Sequence, residues 1–146
     1  MFNRIVVPTD FSNCAEAAWA LAKRVASTPG SELVLVHVLT EAPLYGEGVL
    51  PMETAQKVRE GARRWAEEAL ETWTGKALAE GLSARYDMRS GVPDQEIVGL
   101  AQDERADLIV IGTHGRGGIQ RALIGSVADR VVRLAPCPVL TVRAAD

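Results

Sequence analysis

Apolar residues along this chain fall into two kinds of pattern. Five short runs read as strands: RIVVP (Arg4–Pro8), ELVLVHVL (Glu32–Leu39), SARYDMRS (Ser83–Ser90), DLIVIG (107–112) and PVLTVR (138–143). Most are near-continuous Val, Ile and Leu, as expected of strands in a parallel sheet covered on both faces. SARYDMRS alternates more and is less apolar, which places it at a sheet edge.

Between these runs, apolar residues recur at helical spacing. Ala15, Ala18, Trp19, Ala22 and Val25 share one face of a first helix. Asn13 and Glu16 have capping-box spacing at its start, with Ser12 as the alternative cap. A second helix, Met52–Ala79, carries a stripe of Val58, Ala62, Trp65, Ala69, Trp73 and Ala77 opposite a charged face. Its two tryptophans read as core packing. Pro93 suits the first turn of a third helix, with Ile97, Leu100 and Ala101 inward. A fourth begins near Ser126. Ser126 and Asp129 have the spacing of a cap and its acid, and Val127, Val131 and Leu134 follow as its apolar face.

The order βα-βα-βα-βα-β predicts an α/β fold in one domain spanning 1–146. It is a doubly wound five-stranded parallel sheet, strand order 3-2-1-4-5, with helices on both faces. Strand order reverses between the first and fourth strands, so a ligand crevice opens over their C-terminal ends. Two connections face it: PTDFSN after the first strand, and the stretch after the fourth. That second stretch, within IVIGTHGRGGIQRALIGSVAD (109–129), is far longer than an ordinary strand-to-helix loop. Residues 40–51 read as an irregular loop.

Composition narrows the function. The 146 residues are 47% hydrophobic and 24% charged, ordinary for a globular domain. The net charge of -3 argues against nucleic acid as a partner, so any anion site must be local. Cys14 and Cys137 are far apart, outside any C-x-x-C pair, and read as small buried apolar residues. The opening residues lack a signal-peptide pattern, and no apolar run is long enough to span a membrane. The expectation is a cytoplasmic protein with no membrane partner.

The long stretch fails the common phosphate motifs. It has no lysine where a P-loop needs one, and Gln120 stands where a dinucleotide fingerprint needs its third glycine. The loop after the first strand has no flavodoxin-type phosphate pattern, and MRSG after the third lacks a receiver-type acid. Its own glycines still suit an anion. Gly112 ends a strand where a side chain would block the crevice. Gly115 lets the backbone turn toward a ligand. Gly125 and Ser126 open a helix whose N-terminus favours negative charge. Ser126 is free either to bind phosphate or to cap its helix, and Arg116 or Arg121 would neutralise charge. A loop that merely turns has the same spacing.

These residues carry a resemblance. Gly112, Gly115, nine intervening residues and Gly125-Ser126 match G-x2-G-x9-G-S/T. The chain thereby resembles the ATP-binding branch of the universal stress protein family, as do RIVVPTDFSNCAEAAWALA, LVLVHVL and CPVLTVR. The resemblance implies that Pro8, Thr9 and Asp10 line adenine and ribose, and that Val38 and Ile111 pack near the base. It implies that Gly112, Gly115 and Arg116 wrap the phosphates, while Gly125, Ser126, Val127 and Ala128 present helix-start amides. Ala128 stands where some members carry a second hydroxyl. Mg²⁺ is expected to be held mainly by phosphates and water. Asp10 also fits a turn or helix-start acid. His37 reads as a satisfied core imidazole and His114 as a tolerated loop residue.

The run from Pro138 to Arg143 would be an apolar free edge, and the resemblance implies a homodimer through it. The leading function is a dimeric, ATP-binding stress-response module that acts through unknown protein partners. The alternatives are a slow ATPase or phosphoryl-transfer enzyme, and an interaction protein without nucleotide. No catalytic residue is assigned, and with no base evident beyond Asp10 the enzymatic reading extends at most to slow hydrolysis.

Overall fold

Strands and helices alternate without exception along the residues that the computed structural model describes: 1–27, 29–40, 51–114 and 125–144. The elements are β1 (Arg4–Pro8), α1 (Asn13–Val25), β2 (Glu32–Leu39), α2 (Met52–Ala79), β3 (Ser83–Ser90), α3 (Pro93–Asp103), β4 (Leu108–Gly112), α4 (Ser126–Leu134) and β5 (Val139–Val142). The strands form a parallel sheet in the order β3-β2-β1-β4-β5. This is the doubly wound α/β arrangement read from the sequence.

Side chains alternate across a strand, so adjacent residues of β1 serve two different cores. Ile5 and Val7 pack with Leu33, Leu35, Trp19 and Leu70, under α1 and α2. Val6 packs with Val34, Val36, Ile97, Leu100 and Val131, under α3 and α4. Strands buried on both sides must be apolar at consecutive positions, which explains the continuous runs. The weak run Ser83–Ser90 is indeed the edge strand β3, in which no residue is fully buried. Among the described residues no helix is long and apolar enough to cross a membrane.

Several local expectations are corrected. Ser12, not Asn13, caps α1: its hydroxyl accepts from the Ala15 N–H at 3.3 Å, and Asn13 is already helical. The buried line of α2 is Ala66, Leu70, Thr74 and Ala77, with Ala55 further back. Val58 and Trp65 are exposed instead, Trp65 at 51%. At 28 residues α2 is about 42 Å long, while an eight-residue strand spans about 27 Å. Its helical stripe therefore outruns the sheet that would cover it. Leu134 is 58% exposed because α4 sets Ala128 and Val131, not its last residue, against the sheet. Cys14 and Cys137 are half-buried, since one sits in the first turn of α1 and the other beside the edge strand. Burial, and then the nearby Asp107 charge, raise the Cys137 thiol pKa.

Candidate functional site

Where β1 and β4 lie side by side, a cavity of about 680 Å³ opens at their C-terminal ends. Pro8, Thr9, Asp10, Val38, Ile111, Gly112, Gly125, Ser126, Val127 and Ala128 all line it. The fold thus gathers residues from four separate segments. Gly115, Arg116 and Arg121 lie outside the described residues.

The β1–α1 loop is fixed by its own polar side chains. The Phe11 N–H donates to Thr9 Oγ1 at 2.9 Å, and the Ser12 N–H to Asp10 Oδ1 at 3.0 Å. Asp10 is therefore a turn acid as well as a cavity residue. Phe11 adopts φ +64°, a left-handed backbone that costs a non-glycine residue about 1–2 kcal/mol. Its ring compensates by packing on His37, Trp65 and Trp73, with centroids 4.9, 5.0 and 5.5 Å away. Trp65 thus serves this aromatic cluster rather than the sheet core.

The β2 wall of the cavity is a free strand edge. The β1–β2 register ends at Pro8↔Val36, followed by one further bond from the Thr9 N–H to the Val36 carbonyl at 2.8 Å. Alternate residues of a strand turn their backbone groups to the same side. Val36 faces β1, so Val38 directs its N–H and C=O to that side too, where β1 has ended. Leu39 faces the other way: its carbonyl accepts from the Gly91 N–H. His37 is satisfied, as expected, but it is half-buried and lines the cavity rather than the core. Its Nδ1 lies 2.8 Å from the Thr9 carbonyl. A carbonyl only accepts, so Nδ1 carries the proton.

On the opposite wall the glycines answer to backbone packing. A Cβ at Gly112 would lie 2.8–2.9 Å from Cys14, two of whose three contacted atoms are backbone. Gly112 lines the crevice, and a second constraint acts on it: β4 and the start of α1 touch. A Cβ at Gly125 would meet the Thr113 carbonyl at 2.8 Å, and the Gly125 N–H donates to that carbonyl at 2.6 Å.

Gly125, not Ser126, is the N-cap of α4, and no side chain caps it. Ser126 is the first helical residue, so its hydroxyl is not spent on a cap. The helix-start N–H groups of 126–128 have no intrahelical acceptor, and their residues line the cavity. That end attracts an anion. His114 is more than a loop residue: it lines the cavity, and its Nδ1 is 3.0 Å from Oγ1 of the buried Thr113. Sequence reasoning passed over Thr113 and Phe11. The first is a polar residue directly after an apolar strand, a visible signal. The second has a left-handed backbone with no sequence signature.

A sequence model of the universal stress protein family matches residues 1–143. The chain belongs to this family. Universal stress protein MJ0531 of Methanocaldococcus jannaschii is 37% identical, over 98% of this chain and 83% of that one. Among solved structures, MJ0577 from the same organism superposes with a TM-score of 0.89 at 29% identity, covering 100% of this chain and 99% of the other. A universal stress protein solved in complex with cAMP has a TM-score of 0.70 at 26% identity, covering 99% and 98%. Among the described residues of this family member, no cluster of three or more His, Cys, Asp or Glu could hold a metal ion.

Proposed function

We propose that this universal stress protein binds ATP in the cavity between β1 and β4 and works as a regulatory module. The observation that carries the proposal is a strand edge and a helix start facing one cavity. The Val38 edge offers one donor and one acceptor. Adenine presents the matching pair, N1 as acceptor and the N6 amino group as donor, whereas a 6-oxopurine reverses both. The uncapped start of α4 suits the phosphates. The family member solved with cAMP, also an adenine nucleotide, supports the same reading.

Among the described lining residues Asp10 is the only carboxylate, and one of its oxygens already accepts the Ser12 N–H. The described residues therefore offer no protein cage for a metal. Mg²⁺ would enter with the nucleotide, held by phosphate oxygens and water, and would offset phosphate charge. The free edge of β5 would pair with a second copy to give a homodimer, and signalling would pass to protein partners.

The test is to denature the purified protein, identify any released nucleotide, and measure thermal stability with and without millimolar Mg-ATP. Ligand at 100 times its Kd stabilises by about 2.7 kcal/mol. Absence of both a released nucleotide and a thermal shift would reject the proposal.

A further inference from the structure

We infer that His37 is a positioning residue for the base: by donating to the Thr9 carbonyl, it keeps the Val38 N–H out of the β1–β2 ladder and open to the ligand. The inference rests on the adenine-nucleotide reading above and adds the device that creates the base-reading edge.

A parallel ladder alternates its bonds in a fixed order. After the Thr9 N–H donates to the Val36 carbonyl, the next bond should run from the Val38 N–H to the Thr9 carbonyl. Among the described residues that bond is not made. The imidazole of His37 occupies the acceptor instead, at 2.8 Å. Thr9 is only 6% exposed, so its carbonyl needs a protein donor. Two donors compete for it, the Val38 amide and the His37 ring, and the ring wins because Phe11 packs against it at 4.9 Å. Phe11 in turn belongs to the same loop as Asp10. The ladder therefore stops one bond early, and the amide it releases lies beside the cavity. Without the ring donor, the buried carbonyl would capture the Val38 amide and the edge would lose its donor.

The experiment measures binding of ATP and of inosine triphosphate, whose N1 is a donor, to wild type, His37→Leu and His37→Asn. Wild type should prefer ATP. His37→Leu should weaken ATP by between about twofold and tenfold, the worth of one hydrogen bond, and leave inosine triphosphate unchanged. His37→Asn carries an amide N–H near the place of Nδ1 and should restore the preference. An unchanged ATP preference in His37→Leu overturns the inference, as does equal loss of both nucleotides without rescue by asparagine. If wild type binds neither nucleotide, the parent reading falls and this one with it.

A measurement on wild type alone stands even if the variants do not fold. In ¹⁵N-labelled protein the Val38 amide should exchange rapidly with solvent and shift on adding ATP. A Val38 amide protected like its ladder neighbours, and unmoved by bound ATP, overturns the inference while leaving ATP binding intact.

Discussion

Glycine at 112 and at 125 is set by contacts that a Cβ could not survive, 2.8 Å from Cys14 and from Thr113 backbone atoms respectively. Neither residue has a left-handed backbone, so the requirement is space and not conformation. Replacing Gly112 with alanine would push β4 off the start of α1. Denaturant unfolding should report a loss of about 1–3 kcal/mol, the usual cost of overpacking. Truncating Cys14 to alanine should not restore it, because backbone atoms of Cys14 are among those struck. A Gly112→Ala protein of wild-type stability would show that the strand and helix can separate freely.

Among the elements, α1 depends on its cap. Ser12 ties the helix to the cavity loop: its N–H donates to Asp10, and its hydroxyl accepts from the Ala15 N–H in the first helical turn. Ser12→Ala should cost about 1 kcal/mol in thermal or denaturant unfolding. Asn13→Ala should cost much less, since Asn13 lies inside the helix. Equal losses at the two positions would return the cap to Asn13. At the opposite pole, Glu104 after α3 links Arg85 of β3 at 2.6 Å and Arg4 of β1 at 3.3 Å. The Arg85 hydrogen bond, followed by the arginine charges, lowers the Glu104 pKa against the opposing effect of burial. A depressed carboxylate stabilises the fold above its unfolded pKa, and that contribution disappears as pH falls through its lower folded pKa. Stability should therefore drop on acidification below the ordinary carboxylate range. Glu104→Gln should flatten that slope and cost about 1 kcal/mol or less at neutral pH, given solvent screening. An unchanged acid slope in the variant would remove Glu104 from the account.

For the whole molecule, the open question is the edge at β5. The Ile109 and Thr113 N–H groups donate to the Pro138 and Val142 carbonyls, so the even-numbered residues of β5 face β4. The N–H of Thr141 therefore points outward, to the edge proposed for the dimer. Thr141→Pro deletes that donor without touching the ladder to β4. Sedimentation should find wild type as a dimer and Thr141→Pro as a monomer with its fold retained. A monomeric wild type would dismiss the dimer, and a dimeric variant would move it to another surface.

Sequence by itself determined the element order and the fold class, because each rests on local patterns. Strands covered on both faces need contiguous apolar residues, helices need a periodic stripe, and the alternation of the two leaves few topologies. The glycine spacing carried the family. Tertiary structure alone decided which α2 residues are buried, since that depends on how far the sheet extends beneath a long helix. It alone showed what the glycines at 112 and 125 touch, because their neighbours come from other elements. It also showed which group His37 meets, the Thr9 carbonyl. A histidine within an apolar strand gives no sign, in sequence, that the neighbouring strand β1 ends one bond early and that the carbonyl just beyond it needs a donor.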